Sequence, residues 1–261
     1  MLRSARRLLR RKERQVIRQF LAEGRQAVSE ALATTYVRRV LVDEASVGRH
    51  QDVLNVASRA EVPLASVPSR VFADLADTVT PQGILALCDC VDVPMAEALR
   101  TDARLVVLCD QVRDPGNLGT VIRCADAFGA DAVLVSGDSV DLYNPKTVRA
   151  STGSLFHLPI STGIDLAEAV TLARQAGLAA YGADGASDCT VDDLAASGEL
   201  AKPLLWVFGN EAWGLLTDHA ALLDRLVALP MYGRAESLNL STAAAVILFA
   251  TATSQREESL G

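Results

Sequence analysis

The most informative stretch of this sequence spans residues 105–119 and reads LVVLCDQVRDPGNLG. Its first five residues are an unbroken apolar run, which is typical of a strand buried on both faces of a parallel sheet. The polar residues after Cys109 predict a loop, and Pro115-Gly116 predicts a tight turn at the start of a helix. Asn117 lies near that helix start, where its amide can cap the helix or bind a ligand. A strand, a polar loop and a helix in this order indicate an α/β fold.

The same alternation of strands and helices continues towards the C-terminus. After the first strand, further strands are predicted at residues 132–135, 178–181, 204–208 and 225–229. The helices that separate or follow them are predicted at residues 118–128, 145–150, 166–176 and 241–255. Strands separated by helices predict a parallel sheet with helices on both faces, and such sheets bind ligands past the carboxyl ends of their strands.

Two further polar loops follow strands of this predicted sheet. Gly209, Asn210 and Glu211 come directly after a predicted strand, and the glycine allows a ligand to approach the backbone closely. The other loop follows Leu229 and leads into an alanine-rich helix; its hydroxyl and amide residues are Ser237, Asn239 and Ser241. Trp213, in the second loop, is expected to pack among other side chains rather than to stack on a ligand. We expect the three loops to form one pocket, because the carboxyl ends of parallel strands share one edge of the sheet.

The N-terminal part of the chain predicts a separate, smaller α/β unit. Its helical pattern covers residues 5–32. Strands are predicted at residues 39–42, 64–67 and 84–87, with helices at residues 52–60 and 69–75. Pro94 and alternating charges indicate a linker at residues 93–103. We therefore expect an N-terminal domain at residues 1–92, that linker, and a C-terminal domain at residues 104–261.

The charge is distributed unevenly along the chain. Residues 1–39 hold eleven Lys or Arg and three Asp or Glu, whereas the whole chain holds 25 and 32, for a net charge of −7. A basic helix on an acidic protein can bind phosphates, or can simply be a solvated face. If it binds RNA, the cations that contact phosphates are Arg3, Arg6, Arg7, Arg10, Arg11, Lys12, Arg14 and Arg18.

Several classes of protein are disfavoured by what the sequence lacks. It contains no dinucleotide-binding G-x-G-x-x-G pattern, no Walker P-loop and no G-x-S-x-G nucleophile elbow. Its five cysteines are irregularly spaced and its three histidines are scattered, so we expect neither a disulfide framework nor a metal site. The longest apolar stretch, residues 242–253, is interrupted by threonines, and the arginine-rich N-terminus has no apolar segment typical of a signal peptide. We expect a cytoplasmic protein without a membrane span.

Three motifs occur in order along the C-terminal part. They are Asp114-Pro-Gly-Asn-Leu-Gly119 with Arg123, Phe208-Gly-Asn-Glu211, and Leu229-Pro-Met231 with Glu236-Ser-Leu-Asn239. Together they resemble the motifs of the SpoU (TrmH-type) RNA ribose methyltransferases, and the resemblance covers residues 104–256. Near the N-terminus, Phe20-Leu-Ala-Glu-Gly24 and Pro81-Gln-Gly83 resemble the substrate-binding extension of the rRNA-modifying members.

The resemblance implies a fold, a cofactor and a reaction. The implied fold is α/β: a parallel-sheet domain with a trefoil knot of the SPOUT type, preceded by a small ribosomal-protein-like α/β domain that binds RNA. The implied cofactor is S-adenosylmethionine without a metal, and the implied assembly is a homodimer through the C-terminal domain. The implied reaction is 2′-O-ribose methylation of RNA, with large-subunit rRNA as the favoured substrate.

The resemblance also implies which residues form the site. By the family pattern, the active-site positions are Asn117, Arg123, Glu211, Ser237 and Asn239, and the cofactor-binding positions are Gly209, Leu229, Met231 and Leu238. The family proposal makes Arg123 the base. Because a guanidinium hardly loses its proton, we instead expect Arg123 to clamp a substrate phosphate, with Glu211 positioning it. Ala212-Trp213 departs from the family, where many members have glycine followed by a small or polar residue.

Three alternatives remain open at this point. The first is a tRNA 2′-O-methyltransferase, and the second is a non-catalytic RNA-binding protein of the same fold. A degenerate copy should have lost Arg123, Asn239 or the Asn210-Glu211 pair, and all of these residues are present. The third is a small-molecule enzyme on a dinucleotide-binding fold, which the missing glycine pattern disfavours.

Overall fold

The computed structural model describes residues 2–260, except for the side chains of Arg3, Ser259 and Leu260. The contacts between residues divide the chain into two compact units. The first unit comprises residues 1–91 and 141–157, and the second comprises residues 92–140 and 158–261. Residues 141–157 therefore group with the N-terminal part of the chain, whereas the sequence-based division assigns them to the C-terminal domain.

The first unit is built on a four-stranded sheet with the strand order β1-β4-β2-β3. Its strands are β1 Gln19–Glu23, β2 Val37–Asp43, β3 Leu64–Val67 and β4 Ile84–Asp89. Strand β4 runs antiparallel to both of its neighbours, and β2 runs parallel to β3. Its helices are α1 Leu2–Arg7, α2 Arg11–Ile17, α3 Arg25–Leu32, α4 Gln51–Arg59, α5 Ser69–Ala73 and the later α8 Pro145–Ser151.

Strand β1 lies inside the region that the sequence pattern predicts as one long helix, so that prediction is wrong for residues 19–23. Helix α2 ends at Arg18, which has a left-handed backbone conformation with φ 56°. Phe20 and Ala22 are fully buried, and β1 pairs along its whole length with β4. Pairing with a strand that is distant in sequence outweighs the local helical preference, because it buries these side chains and satisfies the backbone.

Arg14 belongs to the interior of the first unit rather than to its surface. The residue is only 4% exposed. Its guanidinium donates hydrogen bonds to Asp141 Oδ2 at 2.9 Å from Nε and to the Leu8 carbonyl at 2.7 Å from Nη1. A buried cation needs such partners, since burying an unpaired charge is costly. The prediction that Arg14 contacts RNA phosphates is therefore wrong, because its donors are used within the protein.

The second unit is built on a six-stranded sheet in which every neighbouring pair is parallel. Its strands are β5 Leu105–Cys109, β6 Ala132–Ser136, β7 Ile160–Ile164, β8 Ala179–Ala183, β9 Leu204–Phe208 and β10 Arg225–Val227. Its helices are α6 Met95–Ala98, α7 Pro115–Ala127, α9 Leu166–Gln175, α10 Val191–Ala196, α11 Thr217–Ala220 and α12 Leu240–Leu260. The predicted parallel α/β sheet is confirmed.

The strand order of this sheet places its binding edge. The order is β10-β8-β9-β5-β6-β7. Strands β6 and β7 are added on one side of β5, and the later strands β8, β9 and β10 lie on its other side. Ligands bind in parallel α/β sheets where the strand order reverses, outside the carboxyl ends of the strands. The loops after β5, β9 and β10 all begin at that edge. Among residues 2–260, no helix combines the length and the apolar character needed to cross a membrane.

Candidate active site

The first loop leads from β5 into α7 and is shaped by Asp114. The Asp114 carboxylate accepts a hydrogen bond from the Asn117 backbone N–H at 2.9 Å, and Pro115 occupies the first turn of the helix. This is the usual way to begin a helix, because the side chain satisfies a backbone N–H that has no partner within the helix. Asp114, not Asn117, is therefore the cap of α7. The side-chain amide of Asn117 is left to contact the other two loops.

Glu211 joins the second loop to the first. Its carboxylate accepts hydrogen bonds from the backbone N–H groups of Arg113 at 3.1 Å and Asp114 at 3.0 Å, and from the Asn117 amide at 3.1 Å. Burial alone would raise the pKa of Glu211, but these donors outweigh it and lower the pKa below its ordinary value. Glu211 is therefore a carboxylate that holds two loops together at neutral pH.

Asn239 joins the third loop to the same network. Its amide nitrogen donates to Asn117 Oδ1 at 3.0 Å. Its amide oxygen accepts from the Ser241 backbone N–H at 2.9 Å and from the Ser241 hydroxyl at 2.7 Å, at the start of α12. Glu211, Asn117 and Asn239 thus form a continuous chain of hydrogen bonds across the three loops. The expectation that these loops meet at one place agrees with this geometry.

The second loop is a closed turn that depends on Gly209 and Gly214. Asn210 and Gly214 exchange backbone hydrogen bonds at 2.8 and 2.9 Å, and the Asn210 amide donates to the Gln111 carbonyl at 2.7 Å. Only Gly214 in this turn has a positive φ, 69°, so Ala212 is accommodated where the family often has glycine. A Cβ on Gly209 would lie 2.5 Å from the carbonyl carbon and oxygen of Gly214. Glycine is therefore required at position 209.

A cavity lies beside this network in the second unit. All four predicted cofactor positions line it: Gly209, Leu229, Met231 and Leu238. Its wall combines apolar side chains with carboxylates, among them Asp184 and Glu236. Such a lining fits S-adenosylmethionine, because apolar walls can hold an adenine ring and carboxylates favour a cationic sulfonium and ammonium. Among the described residues, no group of three or more His, Cys, Asp or Glu side chains is arranged to hold a metal ion.

Four of the five predicted active-site residues belong to the hydrogen-bonded network or line the cavity, and Arg123 does neither. Asn117, Glu211 and Asn239 are joined by hydrogen bonds, and Ser237 lines the cavity. Arg123 lies on the exposed side of α7 and is not among the described residues that line the cavity. The Glu211 carboxylate accepts hydrogen bonds from Arg113, Asp114 and Asn117 of the first loop, so its predicted positioning of Arg123 stays a prediction.

The sequence pattern did not identify one of the loops that line the cavity. Asp184 and Gly185 follow strand β8, which contributes a fourth loop to the site. The signal was present, because the sequence Gly-Ala-Asp-Gly at 182–185 places a carboxylate between glycines directly after a predicted strand. This loop carries none of the three motifs, so the motifs alone did not predict it.

The lowered pKa of Glu211 predicts a pH-dependent contribution to stability. Because the folded pKa lies below the ordinary value of 4.5, the stabilisation is present above that pH and is lost as the pH falls through the lowered value. Glu211→Gln should lower the free energy of unfolding by about 1 kcal/mol at neutral pH, given that the side chain is partly exposed. Urea denaturation across pH values measures this difference, which should shrink in acid. Glu257→Gln changes an exposed glutamate and is the control. If Glu211→Gln lowered the free energy of unfolding as much at about pH 3 as at neutral pH, the prediction would be contradicted.

The parallel sheet and the cavity at its carboxyl edge define an α/β enzyme that binds a nucleotide-like cofactor beside a polar site. Residues 104–249 match the model of the SpoU rRNA Methylase family, and residues 1–86 match the MRM3-like substrate binding domain. The chain belongs to the SpoU rRNA methylase family. The family and the fold class predicted from the sequence motifs are thereby confirmed.

Similar proteins and structures agree with this assignment. The 23S rRNA (guanosine(2553)-2′-O)-methyltransferase RlmP of Bacillus subtilis is 35% identical over 245 residues, which cover 92% of this chain and 90% of that protein. The crystal structure of the SpoU methyltransferase AviRb from Streptomyces viridochromogenes in complex with AdoMet matches with a TM-score of 0.84 and 30% identity, covering 100% and 99% of the two chains. The AdoMet-bound rRNA methyltransferase of Sinorhizobium meliloti matches with a TM-score of 0.79 and 28% identity, covering 96% and 93%.

Proposed function

We propose that this protein transfers a methyl group from S-adenosylmethionine to the 2′-oxygen of a ribose in rRNA. The observation that carries the proposal is the chain of hydrogen bonds from Glu211 through Asn117 to Asn239, which begins at a cavity fit for the cofactor because Glu211 also lines that cavity. The predicted enzyme class, an S-adenosylmethionine-dependent RNA ribose methyltransferase, is confirmed by the family and by its named relatives.

The residues of the site divide the work of the reaction. The cofactor supplies an activated methyl group, so the protein must hold a ribose hydroxyl in line with it and accommodate its proton. Asn117 and Asn239 offer amide groups that can orient the ribose, and Ser237 lines the same cavity. Arg123 clamps the phosphate next to the reacting ribose, because the planar guanidinium matches the geometry of a phosphate. Glu211 holds the loop that carries Asn117.

Support for rRNA over tRNA comes from the N-terminal part of the chain. Residues 1–86 match a substrate-binding domain, and RlmP, which shares both parts of the chain over 245 residues, is named as a 23S rRNA methyltransferase. The proposal therefore assigns RNA binding to residues 1–92, a linking role to residues 93–103, and methyl transfer to residues 104–261. A second domain allows a structured RNA to be recognised by shape before its target nucleotide enters the site.

A labelling experiment tests this function directly. The purified protein is incubated with S-adenosylmethionine labelled in its methyl group and with unmodified 23S rRNA made by transcription, and tRNA transcripts serve as the comparison. Because a 2′-O-methyl group blocks alkaline cleavage of the neighbouring phosphodiester, the label should survive alkali in dinucleotides of the rRNA. Label that appears only in tRNA, only on bases, or in neither RNA would overturn the proposal.

The N-terminal helices carry exposed cations that can bind RNA, although Arg14 is buried. Arg6, Arg7 and Arg10 line one cavity of the first unit, together with Leu9. The exposed cations of this region are Arg6, Arg7, Arg10, Arg11, Lys12 and Arg18. The side chain of Arg3 lies outside what the structure describes. We include the exposed cations in the proposed RNA-binding surface because their charges can neutralise phosphates.

Removing two of these charges should weaken RNA binding in a salt-dependent way. The double variant Arg10→Gln and Arg11→Gln is expected to reduce the slope of log affinity against log salt by about 1.4, since each phosphate contact to single-stranded RNA contributes about 0.7. Filter binding of labelled rRNA at several salt concentrations measures the slope. Arg100→Gln with Lys202→Gln removes two exposed charges of the second unit and is the control. An unchanged slope would show that Arg10 and Arg11 do not contact RNA phosphates and only form a solvated surface of the helix.

Substitution is a cleaner test than deletion of residues 1–18. Ala5 and Leu8 are buried in the hydrophobic core of the first unit, and Arg14 is bonded to Asp141. Deletion would therefore remove part of the core and leave a buried carboxylate without its cation, which would destabilise the unit. A loss of RNA binding after deletion would then report unfolding as much as lost charge.

We also propose that the protein forms a homodimer through the second unit. Support comes from helix α12, where Val246 is 45% exposed and Phe249 is 58% exposed. These residues are three positions apart and therefore lie on one face of the helix. Light scattering after gel filtration should give twice the mass of the chain, and Val246→Glu with Phe249→Glu should halve it. A monomeric native protein would contradict the proposal.

A further inference from the structure

Two aromatic side chains lie exposed next to the cavity of the second unit. Trp213 is 52% exposed and Tyr232 is 87% exposed. Trp213 lies between Glu211 and Gly214, which both line the cavity, and Tyr232 directly follows Met231, which also lines it. The expectation that Trp213 packs among other side chains is therefore wrong. The rigid turn that carries it presents the ring to solvent instead.

The Tyr232 side chain is held by a hydrogen bond, and Trp213 is carried by a turn whose backbone is closed. Trp213 lies in the turn closed by the backbone hydrogen bonds between Asn210 and Gly214. The Tyr232 hydroxyl donates to Asp192 Oδ2 at 2.8 Å, while its ring stays exposed. A ring that is already ordered loses little conformational entropy when a ligand stacks on it. The two residues are therefore prepared to bind a flat partner.

Positive charges lie on the loops of the same site. Arg113, in the first loop, and Arg234, two residues after Tyr232, both have exposed side chains. Within the part of the chain that the structure describes, neither arginine forms an ion pair with a carboxylate. Aromatic rings interleaved with guanidinium groups are the combination that binds single-stranded nucleic acid, since bases stack on the rings and phosphates meet the cations. An apolar protein partner would not need the two free cations.

We propose that Trp213 and Tyr232 form a stacking surface for unpaired bases next to the methylated nucleotide. This inference rests on the proposed function, because a ribose hydroxyl reaches the cavity only if its nucleotide leaves the helical stack. The neighbouring bases then expose their faces, and aromatic side chains are the usual partners of such bases. Stacking accepts any base, so this surface contributes affinity and orientation rather than a preference for one base.

The two tryptophans of the chain allow a direct measurement. Trp206 is fully buried and its indole N–H is bonded to Thr251 at 3.0 Å, so acrylamide quenching of the fluorescence reports mainly on Trp213. The probes are a short unstructured oligoribonucleotide and an abasic ribose-phosphate chain of equal length, which carries the same charge without bases. Binding of the oligoribonucleotide should lower the fluorescence of Trp213 and should also protect it from quenching by acrylamide. The abasic chain should have neither effect.

Ring-removing and ring-retaining variants of the full chain extend the test. Trp213→Ala should raise the KM for rRNA and the Kd for the oligoribonucleotide by about 5- to 150-fold, which is the range for losing one stacked base. Its Kd for S-adenosylmethionine should not change. Trp213→Phe and Tyr232→Phe keep a ring and should retain most of the RNA affinity, while Tyr232→Ala should lose it.

Three outcomes would overturn this inference. One is an unchanged KM for rRNA in Trp213→Ala, and another is equal protection of Trp213 by the abasic chain. The third is a halved mass of Trp213→Ala in light scattering, which would place the ring in a contact between two copies of the chain. If the protein methylates rRNA and any of these results is found, only the stacking surface is wrong. If it methylates no RNA, the proposed function fails and the inference fails with it.

Discussion

Replacing Arg123 with alanine is expected to lower the rate of methyl transfer to rRNA by about 10²-fold, the usual effect of losing a group that holds the reacting atoms in place. Arg123 lies on the exposed side of α7, less than two turns after Asn117, and is absent from the described lining of the cavity. The affinity for S-adenosylmethionine should therefore stay nearly constant. Single-turnover methylation and calorimetric titration of the cofactor measure the two quantities separately.

The Arg123 prediction has a conservative variant and a control. Arg123→Lys keeps the charge but loses the planar pair of donors, so its activity should lie between those of the native protein and Arg123→Ala. Lys202→Ala removes an exposed cation of the second unit that does not line the cavity and should leave methyl transfer unchanged. If Arg123→Ala keeps most of the activity, Arg123 has no part in the reaction. If it instead loses cofactor binding, the residue belongs to the cofactor site.

The second large effect is expected for Gly209→Ala, which should weaken cofactor binding by about 30- to 150-fold. The added Cβ would lie 2.5 Å from the Gly214 carbonyl and 2.7 Å from the Leu215 backbone nitrogen, and backbone atoms cannot move aside as a flexible side chain can. The turn must therefore open to accommodate the Cβ. Adding atoms to a well-packed site costs about 2–3 kcal/mol, which corresponds to a loss of affinity of about 30- to 150-fold. Calorimetry with S-adenosylmethionine measures the effect.

Two other glycine variants separate steric overlap from general damage. Gly214→Ala meets no atom within 4 Å and is strained only by its φ of 69°, so it should cost about 1–2 kcal/mol, less than Gly209→Ala. Gly48→Ala, in the first unit, also meets nothing within 4 Å and should bind the cofactor normally. Native cofactor affinity in Gly209→Ala would show that the site does not depend on the closed turn.

The parts of the fold that could be predicted are those specified by local sequence. Strands β5 and β9 begin and end where the apolar runs 105–109 and 204–208 do, because a strand buried on both faces must be apolar throughout. Strand β7 was missed because its sequence, ISTGI, contains two hydroxyl residues and a glycine. Its place at the edge of the sheet, beside β6 alone, tolerates that composition.

The same distinction applies to the site. The residue types and their order along the chain predicted the three loops, since each polar segment directly follows or closely flanks an apolar strand. The partners within the site could not be read from spacing. Glu211 and Asn117 are 94 residues apart, and Asn239 and Asn117 are 122 residues apart. Only the parallel arrangement of the strands brings these side chains within hydrogen-bonding distance.

The sequence by itself determined the family, the parallel sheet and the identity of the loops that form the site, because apolar runs and short motifs are local signals. Only the tertiary structure decided which side chains are available to a ligand. Arg14 carries the same charge as Arg10 and Arg11, yet it is buried against Asp141, 127 residues away. Trp213 has the residue type of a core side chain, yet a rigid turn holds it in solvent. Burial depends on what the rest of the chain packs against a residue, and no local pattern contains that information.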